Sequence, residues 1–320
     1  MTPPTRRDRY RGAMLGLAAG DALGTTLEFA PRDAHPPVTD IIGGGPFKLK
    51  PGQWTDDTSM ALCLAASLIE SPDFNPADQM SRYVRWWREG YMSATGSCFD
   101  IGRTTTDALA RFEREGVAYA GSTEPHSAGN GSLMRLAPVV LRYAHAPADA
   151  LQRAADSSRT THAAAEAVDA CRYFAALLLG ALAGVTKEEL LKPDFAPDDS
   201  GWPAATLSPR VGEVAAGSYK NKPRGDISSS GYVVHTLEAA LWAFEQTTTF
   251  RNGAILVVNL AGDADTVGAV YGQIAGAYYG EQGIPPAWRE CLARRSEIEG
   301  LADRLEEASR APQVRGCEGC

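Results

Sequence analysis

The strongest constraint in this chain is its helical period. Apolar residues recur three and four apart over 11–29, 59–70, 77–89, 105–115, 133–143, 163–185, 233–246, 250–260 and 266–279, and the alternation of a half-buried strand is nearly absent. Such a chain buries helix against helix. Many of the runs are rich in Ala and Gly, as in Gly12-Ala13-Met14-Leu15-Gly16-Leu17-Ala18-Ala19-Gly20 and 268–280, and small side chains let helix axes approach closely. The expectation is an all-α, tightly packed bundle.

With 320 residues, 44% hydrophobic and 22% charged, the chain has the composition of a soluble globular protein with a sizeable core. A single domain over 1–320 is expected. The stretch 192–231 interleaves Pro193, Pro197, Pro203, Pro209 and Pro223 with Gly, Ser and Asp, so it cannot be one long helix and reads as a surface insertion. Segments 31–52 and 117–131 read as loops. A net charge of -8 argues against a nucleic-acid partner held through its phosphates, which needs a basic face. The N-terminus carries no apolar core after its basic residues, and 173–185 is too short for a membrane span, so a cytoplasmic protein without a membrane partner is expected. The absence of a heptad or an exposed apolar stripe makes a monomer the default.

Cysteines at 63, 98, 171, 291, 317 and 320 form no compact framework and read as reduced thiols. Cys317-Glu318-Gly319-Cys320 has redox or zinc spacing but lacks a second ligand pair, and reads as a flexible tail.

Two distant oxygen-rich stretches, Thr55-Asp56-Asp57-Thr58 and Asp263-Ala264-Asp265-Thr266, each stand before a helical run. Helix capping explains one residue of each. It leaves a second carboxylate whose charge must be tolerated beside its neighbour, and a cation relieves that repulsion. If the two stretches meet, their carboxylates and hydroxyls suit hard divalent cations such as Mg2+ or Mn2+.

Gly129-Asn130-Gly131-Ser132 reads as a glycine-rich loop entering a helix, where free N–H groups favour a phosphate. It lacks the Lys and the spacing of a P-loop. Arg159-Thr160-Thr161-His162 reads as the opening of a long helix, with His162 either lining a polar pocket or packing. Tyr232 either stacks on a base or packs in the core. Asp100, in Phe99-Asp100-Ile101-Gly102, either caps the following helix or faces a cationic group.

These residues together resemble the ADP-ribosylglycohydrolase family. The likeness runs nearly end to end, through Arg11-Gly12, Gly20-Asp21-Ala22-Leu23-Gly24, Glu28, Trp54-Thr55-Asp56-Asp57-Thr58, Gly129-Asn130-Gly131-Ser132-Leu133-Met134-Arg135, Thr160-Thr161-His162 and Gly262-Asp263-Ala264-Asp265-Thr266-Val267-Gly268. The paired Asp motifs are the specific part; the glycine loop only supports them.

The resemblance implies a compact orthogonal helical bundle with two Mg2+ or Mn2+ ions at the base of a cleft for ADP-ribose. By position it implies Thr55, Asp56, Asp57, Asp263, Asp265 and Thr266 as metal ligands, and Glu28 as an acidic residue at the metal edge. It places Gly129, Asn130, Gly131 and Ser132 around the phosphates and distal ribose, with His162 and Tyr232 along the cleft. The implied reaction is metal-dependent hydrolysis of the N-glycosidic bond of an ADP-ribosylated protein, with Asp56 or Glu28 moving protons. Asp100 as a partner for guanidinium favours ADP-ribosyl-arginine over the serine linkage. The alternatives are a non-catalytic, crystallin-like ADP-ribose binder and a hydrolase of another ADP-ribose or nucleoside-type glycoside.

Overall fold

A computed structural model describes residues 3–197 and 207–310. Among these residues the regular elements are helices: α1 (Arg6–Gly24), α2 (Asp56–Glu70), α3 (Pro76–Glu89), α4 (Arg103–Glu115), α5 (Ala137–Tyr143), α6 (Pro147–Thr161), α7 (Ala165–Ala183), α8 (Lys187–Leu190), α9 (Pro209–Ala215), α10 (Val233–Gln246), α11 (Phe250–Val258), α12 (Ala264–Tyr279), α13 (Pro286–Cys291) and α14 (Arg295–Ala308). Extended pairing is confined to isolated bridges. The all-α expectation holds.

Helix ends follow local chemistry. Thr5 and Asp8 form a reciprocal capping box on α1, Asn75 caps α3 with Pro76 at its first position, and Gly90, Gly116 and Gly184 end α3, α4 and α7 in the left-handed conformation. The outer helix α3 buries only Gln79, Met80, Tyr83 and Trp86, one stripe of its surface. By contrast α12 is buried on every side from Ala264 through Ala277, which makes it the central helix.

Antiparallel packing of α1 on α12 is what places the site. A Cβ added at Gly12, Gly16, Gly20 or Gly24 would stand 2.2, 2.2, 1.9 and 2.3 Å from the carbonyl oxygens of Gly276, Gly272, Gly268 and Ala264. Only hydrogen side chains permit that approach. A helical Gly costs about 1 kcal/mol relative to Ala, so the close packing must offset several such costs. The C-terminal end of α1 is thereby set beside the N-terminus of α12.

Several expectations need correction. Arg159-Thr160-Thr161-His162 does not open a long helix: it closes α6, with His162 at the C-cap, and α7 starts afresh at Ala165. The run 133–143 is helical only from Ala137, because residues 130–135 form turns. The insertion is not wholly a surface excursion either: Val211, Val214, Tyr219 and Ile227 are buried against the core. Cys63 and Cys171 are buried free thiols, whereas Cys291 is exposed. Residues 198–206 of the insertion and the Cys317–Cys320 pair lie outside the described residues.

Candidate metal centre

Two helix N-termini converge, those of α2 and α12, and each is capped by a carboxylate from another element. Neither Thr55 nor Asp263 makes a side-chain capping bond. Asp21, fully buried on α1, does this for α2: its Oδ1 accepts from Thr55 N at 2.9 Å and Thr55 Oγ1 at 3.0 Å, and its Oδ2 accepts from Thr58 N at 3.0 Å and Thr58 Oγ1 at 2.6 Å. Glu28 does it for α12, its Oε2 accepting from Ala264 N at 2.8 Å and Asp265 N at 3.4 Å. Capping therefore does not account for the Asp pairs, which remain available for another task.

The backbone around Glu28 is fixed by pairing with the segment before α12: Phe29 N donates to Gly262 O at 2.7 Å and Gly262 N to Ala30 O at 3.0 Å. Asp263 N donates to Ser229 O at 2.8 Å, and Asn130 Nδ2 donates to Asp263 Oδ2 at 2.8 Å and to Thr236 Oγ1 at 2.9 Å. Asn130 thus orients a carboxylate of the centre. Phe29, Asp100 and Ala261, at φ 58°, 58° and 59°, are non-glycine residues held in the left-handed region around this site. Each costs of order 1–3 kcal/mol that the surrounding structure must hold.

Carboxylate oxygens of Glu28, Asp263 and Asp265 come within 4.8 Å of one another. Together with Asp56, Asp100 and Thr266 they line a cavity of about 260 Å³ whose far wall is Gly129, Asn130, Gly131 and His162. Thr55 and Asp57 sit behind it, joined by Thr55 Oγ1 to Asp57 Oδ2 at 3.3 Å, and Thr266 Oγ1 reaches the same Asp57 oxygen at 3.3 Å. The two Asp stretches do meet. Asp100 turns into the cluster toward Asp265 and Asp56 and does not cap α4, whose N-cap is Gly102.

Electrostatics shows what the cluster lacks. Burial, then the Asp265 charge, lifts Asp21 to about 7; burial and Asp265 likewise lift Asp263 to about 7 and push Glu28 far above the carboxylate range. Asp56 and Asp57 are raised well above their ordinary value by burial and their acidic neighbours, and Asp100 to about 11 by burial and Asp56. Asp57 Oδ1 and Asp265 Oδ2 are buried without a hydrogen-bond partner. Two orphaned carboxylate oxygens in an all-oxygen donor set fit a hard divalent cation, which supplies both the partner and the counter-charge.

Other expected site residues fall differently. Gly129 N and Asn130 N are already engaged, by Ser127 O at 2.8 Å and Gly231 O at 3.1 Å, so these two do not serve as free phosphate donors. Ser132 Oγ is buried against Ser158 Oγ at 2.8 Å and Cys171 Sγ at 3.4 Å, behind the cavity wall. Tyr232 donates to Glu166 Oε2 at 2.6 Å and meets His235 edge-on, while its neighbour Gly231 lines the cavity. Sequence reasoning gave no role to Asp21 or to the fully buried Arg135. The available signal was a charge inside an apolar run, in Leu17-Ala18-Ala19-Gly20-Asp21-Ala22-Leu23 and in Leu133-Met134-Arg135-Leu136-Ala137.

The fold and the site define a helical protein built around an acidic, oxygen-donor centre at the base of a cleft. Residues 2–315 match the model of the ADP-ribosylglycohydrolase family, and the chain belongs to that family. It is 48% identical to ADP-ribosylarginine hydrolase Tri1 of Pseudomonas putida (strain GB-1) over 98% of this chain and 81% of that protein. It is 33% identical to the ADP-ribosyl-(dinitrogen reductase) glycohydrolase of Rhodospirillum rubrum over 93% of this chain and 95% of that one. A solved structure described as an ADP-ribosylglycohydrolase-related protein complex superposes with a TM-score of 0.83 at 47% identity, covering 95% of this chain and 99% of that one. No helix among the described residues is long and apolar enough to cross a membrane.

Proposed function

We propose that this chain hydrolyses the N-glycosidic bond of ADP-ribosyl-arginine in a protein, releasing ADP-ribose and unmodified arginine, with two Mg2+ or Mn2+ ions in the acidic centre. The observation that carries this reading is the two buried, orphaned carboxylate oxygens of the acidic centre, on Asp265 in the cavity wall and on Asp57 behind it, in a chain similar over nearly its whole length to a named ADP-ribosylarginine hydrolase. Thr55, Asp56, Asp57, Asp263, Asp265 and Thr266 would hold the ions, with Glu28 at their edge. When bound, the ions supply Lewis acidity toward the ribose hydroxyls and the attacking water.

The chain's own residues supply the rest. The 260 Å³ cavity is small for ADP-ribose, but it shares Arg103 and Thr104 with a groove of about 680 Å³ along α4, and together they reach the usual size of a ligand site. The distal ribose would sit at the acidic end and the remainder of ADP-ribose along the groove. Water adds its oxygen to the anomeric carbon, the C–N bond breaks, and the leaving guanidine nitrogen takes a proton. Asp56 and Glu28, which both line the cavity, are the groups proposed to move that proton. Asp100 and Phe29 both line the cavity, a carboxylate and an aromatic face of the kind that suits a guanidinium. A single domain and a monomer complete the reading.

The test measures ADP-ribose release from arginine-ADP-ribosylated protein with Mg2+ or Mn2+, with chelator, and in parallel from serine-linked substrate. Metal-dependent release from the arginine linkage alone is expected. Release from neither substrate, with ADP-ribose still bound, would leave a binder and sink the hydrolase.

A further inference from the structure

We propose that Arg135 and Thr161 are positioning residues that lock His162 in the tautomer protonated on Nε2, so that its ring presents a fixed hydrogen-bond donor to an acceptor oxygen of the ligand in the cleft. The identity of that ligand, an ADP-ribose unit, rests on the function proposed above; the locking itself does not.

The argument is one of hydrogen-bond direction. Arg135 Nη2 lies 2.7 Å from Thr161 Oγ1, and a guanidinium only donates. Thr161 Oγ1 therefore accepts there, and its own hydrogen is left to give away. Among the described residues the acceptor within reach is His162 Nδ1, at 2.8 Å. Were Nδ1 to carry the proton, Thr161, which is fully buried, would hold a hydroxyl hydrogen with no acceptor, a loss of about 1–3 kcal/mol. Nδ1 is thus bare and the proton is on Nε2. Burial and the Arg135 charge also push His162 down to about 3, which keeps the ring neutral.

Both ends of this chain are rigid. Arg135 Nη1 donates to Gly131 O at 2.8 Å, its guanidinium lies 4.6 Å from the Tyr83 ring centre, and its Nη2 also reaches Thr160 Oγ1 at 3.3 Å. The backbone of His162 is tied twice to Ser158, through its N–H at 2.7 Å and its carbonyl at 2.7 Å. The Nε2 side of the ring packs on the cleft loop: a Cβ added at Gly131 would stand 2.7 Å from His162 Cε1 and 3.1 Å from Nε2, and one at Gly129 3.3 Å from Nε2. Arg135 accordingly fixes the loop and the histidine with one side chain. A buried arginine with no carboxylate partner among the described residues is costly, and this double task accounts for it.

The experiment is nitrogen-15 NMR of the histidine ring at neutral pH in the full chain, with the His162→Gln spectrum assigning the signals. The wild-type protein is expected to show a protonated Nε2 and a bare, hydrogen-bonded Nδ1. Thr161→Val, which removes the hydroxyl at nearly constant volume, should give a mixture of tautomers and weaken ADP-ribose binding about tenfold, equivalent to one hydrogen bond. Thr161→Ser should restore the Nε2–H form. A wild-type ring protonated on Nδ1, or a Thr161→Val ring unchanged from wild type, overturns the proposal. Because the tautomer is read without substrate, an Nε2–H ring in a chain that releases nothing from ADP-ribosyl-arginine supports the lock and counts only against the proposed reaction.

Discussion

Asp21 and Thr58 are joined twice through one oxygen: Asp21 Oδ2 accepts both the Thr58 N–H, at 3.0 Å, and the Thr58 hydroxyl, at 2.6 Å. The other oxygen receives the same pair of donors from Thr55. A fully buried carboxylate that accepts four hydrogen bonds thus sets the height of α2 and hence of Asp56 and Asp57. Asp21→Asn keeps the shape but replaces one acceptor with a donor that faces two further donors. The expected outcome is a loss of about 1–3 kcal/mol for the unsatisfied groups and metal affinity lower by roughly 10–100-fold, as when an outer support of a metal ligand is removed. Thermal denaturation and a Mn2+ titration check the two parts separately.

Stability in chelator should fall as pH rises. Asp21 and Asp263, raised in the folded state from 3.8 to about 7, bind more protons folded than unfolded between those values. Their contribution is fully present below about pH 4 and is lost as pH climbs through 7, and Asp100 extends the loss toward 11. Mg2+ or Mn2+ binds the ionised form and stabilises it by mass action. The Tm difference between metal-loaded and chelated protein should therefore widen from pH 5 to pH 8. A gap constant with pH would show that the cluster does not hold the ion.

Much of this was legible in the sequence because helical period and the spacing of Asp motifs are local properties. The nine runs read as helical all contain helix, and the two Asp stretches, whose meeting the sequence left as a condition, come together. What the sequence hid is directional. Whether Arg159–His162 opens or closes a helix depends on which neighbour caps it, and the answer lies in Ser158 bonding to the carbonyl of His162. Ser132 reads like its loop neighbours, yet it turns inward to Ser158 and Cys171 because the chain is still turning at that point. Asp21 and Arg135 were visible only as charges in apolar runs. Their partners, at Thr55, Thr58, Gly131 and Thr161, are set by tertiary packing alone.

Substitution of Gly20 tests the helix pair that carries the site. A methyl there meets the Gly268 carbonyl oxygen at 1.9 Å, which forces α1 and α12 apart. Gly20→Ala should therefore destabilise by at least the 1–3 kcal/mol typical of overpacking, about opposite to the gain in helix propensity. Gly300→Ala on α14, where an added Cβ meets nothing within 4 Å, is the control and should be neutral or slightly stabilising. Urea denaturation of the two variants reads the contrast directly.

Recognition of the arginine end should reside at the mouth of the cavity. Phe29 is 67% exposed although it immediately follows Glu28, and its ring begins an aromatic wall through Phe47, at 6.3 Å, to Phe99, at 5.3 Å. Its φ of 58° is a conformation that glycine adopts without strain. In Phe29→Gly the strain relieved and the chain entropy added are of similar size, so stability should change by no more than about 1 kcal/mol. Loss of a guanidinium–aromatic contact should meanwhile raise KM for arginine-ADP-ribosylated protein several-fold. Asp100→Asn, in the same cavity, should act on the same substrate. ADP-ribose itself, which lacks the guanidinium, should bind the Phe29 variant as it binds wild type. An equal loss for both ligands would place Phe29 against the sugar rather than the arginine.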